Sequence, residues 1–270
     1  MSNSSSLSGG ENVFFLTDPP DPEVKLVLCP PRTKPNGVGV VVCPGGGYGV
    51  LCSSYEGYEI ADWLGGFGIT AAVLHYSIPG HHPEPLNQAR QAIRILRSRA
   101  GELGLRADRI GIMGFSAGGH VASSAATHVC PGDPAGKTRE EQVSSRPDFQ
   151  ILIYPLITMG EFTHCGSLDK LLGPDPSAEM KDFLSNEKQV TDDTPPAFLC
   201  HSVTDQAVPV ENSRMYVQAL REHNVPVEYL ELPEGSHGLG GSSSPLWTVW
   251  KNAAFEWLAG ICPEIKPVRS

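Results

Sequence analysis

The feature that most constrains this chain is a five-residue turn, Gly114-Phe115-Ser116-Ala117-Gly118, set between two runs of different character. Before it, Arg109–Met113 (RIGIM) reads as a short buried strand; after it, Ala117–His128 is rich in small residues and reads as a helix. A serine at such a junction sits on a sharp strand-to-helix turn, and side chains at the flanking glycine positions would collide with neighbouring backbone. The helix starts just beyond Ser116, so its unpaired N–H groups and the positive end of its dipole favour an oxyanion there. The pattern therefore predicts a serine nucleophile at the carboxyl end of a sheet strand.

The rest of the chain supplies such a sheet. Short β-rich runs alternate with amphipathic helical patterns, which predicts an α/β architecture: a mostly parallel central sheet with helices on both faces. Val24–Leu28 and Val38–Cys43 read as the first strands; the second is nearly all valine and runs into glycines, which makes it central. Ser53–Leu64 reads as a helix, with Ser53 and Glu56 at capping-box spacing. Ile69–His75 is an apolar strand, and Leu86, Ala89, Ile93, Leu96, Ala100 and Leu103 recur at helical steps on one face. Phe149–Leu156, Ala197–Ser202 and Val225–Leu232 read as strands, Glu211–His223 as a helix, and Leu246, Trp247, Trp250, Ala254 and Trp257 line a last helix. The segment Gly160–Thr194 lacks clean periodicity and carries several Gly, Pro and Asp residues; it reads as a short cap inserted into a single domain over 12–270. Residues 1–11 read as a disordered polar tail, without the basic and apolar regions of a signal peptide.

The formal charge of −10, with Lys and Arg scattered and no basic stripe, argues against nucleic acid or an anionic membrane surface as partner. No apolar run approaches the ~20 residues of a membrane-spanning helix. The seven cysteines form no CxxC pattern, and Cys29, Cys43 and Cys200 sit in apolar strand-like runs. Reduced, mostly buried thiols are expected, with no zinc site, no metal and no organic cofactor. This favours a cytoplasmic protein, and self-association into a homo-oligomer is compatible with the composition.

A second signal is Val41–Tyr48 (VVCPGGGY), a glycine run at the end of the central strand. Without Cβ atoms, its backbone N–H groups can approach a ligand closely. In α/β-hydrolases this position carries the second oxyanion donor, as in the HGGG segment of lipases and esterases, with Pro44 here in place of the histidine. The nucleophile then needs an acid and a base in the chain order Ser, Asp or Glu, His. His237 lies in the glycine-rich PEGSHGLGG after the last strand, whereas His223 ends a helix and reads as solvated. Asp205 follows a buried strand on the same sheet edge; Asp192 and Asp193 precede it, on the opposite edge. His120 reads as structural and His201 as ambiguous. Gly132–Thr138 imitates a phosphate loop but is one residue short and follows no buried strand.

Taken together, PGGGY at 44–48, GFSAGGH at 114–120, LLG at 171–173, TDQAVPVENS at 204–213 and GSHGLG at 235–240 resemble the acetylxylan-esterase-like branch of the α/β-hydrolase fold, related to the hormone-sensitive-lipase type esterases. The likeness spans nearly everything from Val38 to the last helix. It implies Ser116, Asp205 and His237 as a catalytic triad, with Gly46, Gly47 and Ala117 as oxyanion-hole donors. Tyr48, next to the glycine run, is the candidate wall of the acyl side. Members of this branch are often labelled xylanases, but a glycosidase needs two carboxyl groups flanking a sugar bond, and the residues assembled here serve acyl transfer. Two departures, Cys52–Tyr55 and Ser77 where relatives tend to carry arginine, bear on the substrate and leave the triad intact. The expected activity is hydrolysis of short acyl esters, on small molecules or acetylated sugars and xylan oligosaccharides. A prolyl-oligopeptidase-like peptidase shares the triad order but usually carries a large accessory domain, for which this chain has no room. A non-catalytic hydrolase-fold binding protein would be expected to have lost a triad member.

Overall fold

In the computed structural model, which describes residues 13–266, eight strands form one sheet in the order β1-β2-β4-β3-β5-β6-β7-β8. They are β1 (Val13–Phe15), β2 (Lys25–Cys29), β3 (Gly39–Cys43), β4 (Thr70–His75), β5 (Ile110–Phe115), β6 (Gln150–Ile153), β7 (Ala197–Ser202) and β8 (Val227–Leu232). β1 and β2 pair antiparallel at one edge; every pairing from β4 through β8 is parallel. The tail expected over 1–11 lies outside the described residues. The short edge strand β1 had no counterpart in the sequence reading.

Helices cover both faces. α2 (Glu84–Ser98), α3 (Ala117–Thr127) and α6 (Glu211–Glu222) bury Leu86, Ile93, Val121, Ala125, Tyr216 and Leu220 against one face. α1 (Glu59–Gly65) and α7 (Pro245–Ile261) bury Ile60, Leu64, Trp247, Trp250 and Leu258 against the other. The period-two rule is visible within single strands: Val41 and Cys43 of β3 join the first core, Val40 and Val42 the second. With both faces covered, such a strand is a continuous apolar run, which is why the valine stretch is central. Fully burying one such side chain contributes about 1.5–3 kcal/mol.

The helix expected over Ser53–Leu64 is present, but it opens as a single wide π turn, Ser54–Tyr58, that runs into α1. Ser53 makes no capping hydrogen bond and already has helical backbone angles. The capping box does not form, because the Glu56 side chain turns inward to other partners. The expected cap, Gly160–Thr194, holds α4 (Cys165–Leu172), α5 (Ala178–Phe183) and a short turn at Asn186–Lys188. It is fastened to the body: the buried Asn186 amide donates to the Ser123 and Ser124 hydroxyls of α3 at 2.7 and 3.0 Å.

Because β3 through β8 run parallel, the loops after them gather at one sheet edge. β4 lies on one side of β3 and β5 on the other. The chain thus changes direction between β3 and β5, where open α/β sheets place their ligand crevice. Among the described residues no helix is long and apolar enough to cross a membrane.

Candidate active site

Ser116 is the residue between β5 and α3, with φ 52° and ψ −122°. An L-residue rarely adopts such angles, and the conformation persists because its surroundings impose it. The Ser116 N–H donates to Ile153 of β6, and its carbonyl accepts from Gly119 and Leu156. Glycine at 118 has a steric reason: a Cβ there would stand 2.1 Å from the Cys43 carbonyl oxygen. Its absence lets α3 lie against the end of β3, bringing the serine turn beside the glycine run.

His237 and Asp205 complete a relay with this serine. Ser116 Oγ and His237 Nε2 are 2.8 Å apart, and His237 Nδ1 and Asp205 Oδ2 are 2.6 Å apart. Asp205 lies just past β7, and its Oδ1 accepts the N–H groups of Ala207 and Val208 at 2.9 and 3.0 Å. Burial pushes the Asp205 carboxyl up, but the bonds from His201 and His237 outweigh it and hold it well below the usual carboxylate range. The two loops are tied together, since the Gly235 N–H donates to Thr204 Oγ1 at 2.9 Å. Behind them the Trp247 indole N–H donates to the Gly238 carbonyl at 2.9 Å, so α7 braces the histidine loop.

The buried His201 sits behind Asp205. Its Nε2 lies 3.0 Å from the Val208 carbonyl and 3.3 Å from Asp205 Oδ2. A carbonyl can only accept, so this nitrogen carries a proton and His201 is a second donor to the Asp205 carboxylate. The rejected acids lie elsewhere: Asp192 pairs with His223 and Asp193 with Arg146, both exposed.

The glycine run adopts a tight turn in which Gly49 and Val50 donate to the Gly46 carbonyl. Gly46 has φ +133°, and a Cβ on it would meet the Val50 carbonyl oxygen at 2.1 Å, so no larger residue fits without moving the turn. Among the described residues the N–H groups of Gly46, Gly47 and Ala117 donate to no protein acceptor. The Gly45 N–H, by contrast, is taken by Glu56 Oε2 at 2.7 Å.

Tyr48 does not stand where the acyl-side wall was expected. It has φ 60° and is buried, and its ring packs edge-on to Tyr76. Its hydroxyl lies 2.7 Å from His120 Nδ1, while His120 Nε2 lies 2.8 Å from the Leu184 carbonyl. The carbonyl fixes the proton on Nε2, so Tyr48 donates to Nδ1 and supports the loop from below. Burial pushes His120 down to about 4. A histidine depressed below its unfolded value of about 6.5 adds stability above that pH and loses it as the pH falls toward 4. Denaturant unfolding should therefore show wild type losing on the order of 3 kcal/mol between pH 7 and pH 4 through this group. His120→Gln should lack that part of the pH dependence; equal slopes in the two proteins would remove His120 as its source.

The sequence reading missed two further groups at the site. His164 caps α4: Ser167 N–H donates to His164 Nδ1 at 3.2 Å, and the Ser167 hydroxyl lies 2.8 Å from the same nitrogen. A backbone N–H only donates, so Nδ1 is the acceptor and the proton of the neutral ring is on Nε2. Burial pushes His164 down, which favours that neutral form. A Cβ placed on Gly47 would lie 3.6 Å from Ser167 Oγ and 3.9 Å from His164 Cε1, so these polar groups face the glycine run across the crevice. Tyr154, with φ +38°, follows β6 and sets its ring edge-on to His237 at 5.0 Å between centroids. Histidine at a helix start is a weak capping signal, and nothing local marks Tyr154. The seven cysteines are all free; Cys43 and Cys200 are buried as expected, and so is Cys262, but Cys29, Cys52 and Cys130 are only half-buried and Cys165 is exposed on α4, so most of the thiols are not buried.

A mostly parallel sheet with a serine on a strained turn, a histidine and an aspartate on the following loops, and free N–H groups beside the serine defines an α/β-hydrolase fold. Comparison with known proteins agrees with that class. The BD-FAE family model matches residues 29–220, and the chain belongs to that family. It is 38% identical over 224 residues to the endo-1,4-beta-xylanase B of Butyrivibrio fibrisolvens, covering 80% of this chain and 34% of that protein. It is 33% identical over 233 residues to the acetylxylan esterase of Xylanibacter ruminicola, covering 84% of this chain and 46% of that protein. The chain thus spans half or less of the length of these two relatives. Among solved structures, the acetyl ester-xyloside bifunctional hydrolase of Caldicellulosiruptor lactoaceticus is similar at 40% identity and a TM-score of 0.87, with 93% of each chain covered.

Proposed function

We propose that this chain is a serine carboxylic-ester hydrolase in which Ser116 is the nucleophile, His237 the base and Asp205 the orienting carboxylate. The observation that carries the reading is the unbroken relay from Ser116 Oγ to His237 Nε2 at 2.8 Å and from His237 Nδ1 to Asp205 at 2.6 Å, beside N–H groups left free. Ser116 Oγ attacks the ester carbonyl carbon while His237 Nε2 takes its proton, and Asp205 stabilises the imidazolium. The carbonyl oxygen becomes an oxyanion met by the N–H groups of Ala117, Gly46 and Gly47; one such donor is typically worth about 10²–10³ in rate. The C–O bond to the alcohol then breaks, and His237 returns its proton to the departing oxygen. Water repeats the sequence on the acyl-enzyme and releases the acid and free Ser116.

For the substrate we propose short acyl esters, acetyl above all, carried on a sugar such as an acetylated xylan fragment. The names of the two relatives and the structural neighbour support the carbohydrate. The neutral His164, with its Nε2–H free of protein acceptors among the described residues, and the adjacent Ser167 suit an alcohol portion rich in hydroxyls. A cap held down by buried hydrogen bonds suits a short acyl group better than a long lipid chain. The similar structure's bifunctional name raises xyloside cleavage as an alternative. Against it, both oxygens of the Asp205 carboxylate accept protein hydrogen bonds, and so do both of Glu56. That leaves neither as a free acid to protonate a glycosidic oxygen.

The test is kcat/KM across p-nitrophenyl acetate, butyrate, octanoate and palmitate, with p-nitrophenyl xyloside as a further arm and acetate release from acetylated xylo-oligosaccharides. The expected maximum is at acetate, with acetate released from the sugar. A maximum at octanoate or beyond would defeat the short-acyl assignment, and no acetate from the sugars would remove the carbohydrate. Xyloside turnover that survives loss of Ser116 would require a second chemistry in this chain.

A further inference from the structure

Glu56 is a carboxylate with 3% of its surface exposed, placed under the glycine run on the single turn Ser54–Tyr58. Its Oε2 accepts the Gly45 N–H at 2.7 Å and its Oε1 accepts the Tyr154 hydroxyl at 2.8 Å. Gly45 is next to the first free N–H of the oxyanion loop, and the Tyr154 ring lies edge-on to His237 with centroids 5.0 Å apart. The carboxylate and the nucleophile also flank the same glycine. A Cβ on Gly45 would lie 2.8 Å from Glu56 Oε2 and 3.0 Å from Ser116 Cβ. The proton relay itself has no use for this group, and a carboxylate is among the costliest side chains to bury.

We propose that Glu56 is a positioning residue for acyl transfer: as an anion it locks the Gly45 end of the oxyanion loop and the Tyr154 ring against His237, and it adds a second negative charge that stabilises the imidazolium formed when Ser116 attacks. This rests on the hydrolase reading above. Asp205 supports the imidazole in line through Nδ1, whereas Glu56 acts from the side of the ring through Tyr154. Burial pushes the Glu56 carboxyl up; the Tyr154 and Gly45 hydrogen bonds and the nearby His237 oppose that shift. The other titratable groups facing Glu56 are Cys52, Tyr55, Tyr76 and Tyr154, all pushed up chiefly by burial and so kept neutral. His237 is faced in addition by Asp205 and by His164, which burial keeps neutral. The negative charges on the imidazole are therefore those of Asp205 and Glu56.

Glu56→Gln tests the charge with little change in shape. The amide oxygen can accept from Gly45 and the amide nitrogen can donate to the Tyr154 oxygen, so both contacts survive. Removing the anion makes His237 harder to protonate. The acid limb of the kcat/KM profile on p-nitrophenyl acetate should move to lower pH by up to about one unit, and the plateau kcat should fall about tenfold with KM nearly unchanged. A purely structural role would lower the rate at every pH and leave the limb in place, and that result overturns the proposal, as does an unchanged kcat. Two measurements on wild type keep the test open if the variant does not fold. The side-chain carboxyl ¹³C resonance of Glu56, assigned with Tyr154→Phe, should report an ionised group throughout the active pH range; a carboxyl still protonated there overturns the proposal. The rate at which a fluorophosphonate labels Ser116 should follow the same acid limb as hydrolysis. If wild type cleaves no ester, the hydrolase reading falls, whereas the carboxyl titration still reports on Glu56.

Discussion

Ser116→Ala should abolish ester hydrolysis, with kcat falling by on the order of 10⁴–10⁶ while the fold remains intact. The fall is this large because the relay has one nucleophile, and triad members act as a unit. His237 can still take a proton and the N–H groups of Gly46, Gly47 and Ala117 can still meet an oxyanion, but no protein oxygen is left to form the acyl-enzyme. The small residue of activity would come from binding and the oxyanion donors acting on water. Stability should change little for a reason visible in the backbone. Alanine at φ 52° meets the same steric cost as serine, and the turn is held by backbone bonds from Ser116 to Ile153, Gly119 and Leu156, which alanine keeps. Only the half-buried hydroxyl bond to His237 is lost. The checks are steady-state hydrolysis of p-nitrophenyl acetate, labelling by a fluorophosphonate, and thermal melting. Activity above about a thousandth of wild type in a well-folded variant would exclude Ser116 as nucleophile. A variant that is inactive because it melts early would say nothing about the chemistry, which is why melting is measured alongside.

How much of this site could be read from the chain depended on whether a signal was local. Ser116 and Asp205 each follow a fully buried strand and His237 follows a half-exposed one, and all three sit among turn residues, so strand order and loop chemistry suffice to place them. Strand order and loop chemistry point to the glycine run and the start of α3 as sources of oxyanion donors, and the choice of Gly46, Gly47 and Ala117 comes from the family resemblance. Glu56 shows the opposite case. Its spacing from Ser53 suggested a helix cap, but the partners it finds are Gly45 and Tyr154, the latter 98 positions away. A local pattern cannot weigh a cap on the surface, worth about 1 kcal/mol, against a buried network assembled by the sheet. Tyr48 failed for a related reason. Its place beside the glycine run is right, but the positive φ turns the side chain down onto His120, away from the crevice. The helices within Gly160–Thr194 are short enough that their ends, capped by His164 and Ser177, define them better than any apolar stripe. His201 and His164 acquire meaning only once β7 and α4 are placed against the triad.

Asp205→Asn should leave a folded protein whose kcat is lower by about 10⁴, and the hydrogen bonds around the carboxylate say why. Oδ1 accepts the N–H groups of Ala207 and Val208, neither of which can accept in return. An asparagine must therefore keep its amide oxygen on that side and turn its NH₂ toward His237. Facing a donor at Nδ1, the imidazole has to present a lone pair there and carry its proton on Nε2, the nitrogen that must receive the proton of Ser116. The ring stays in place and cannot act as a base. His201 Nε2–H loses Asp205 but retains the Val208 carbonyl at 3.0 Å, so the pocket behind the acid does not collapse. KM should change little, because the substrate-facing N–H groups of the glycine run and of Ala117 are untouched. The control is Asp193→Asn, which disturbs only an exposed ion pair with Arg146 at the far end of β7 and should leave kcat within twofold or so of wild type. If instead Asp205→Asn lowers kcat by less than about tenfold while Asp193→Asn cripples the enzyme, the acid of the relay has been misassigned despite the 2.6 Å contact. A large loss with Asp205→Asn that is partly restored at high pH would fit the tautomer argument best, since hydroxide can then take the Ser116 proton directly, whichever nitrogen of the imidazole carries its own.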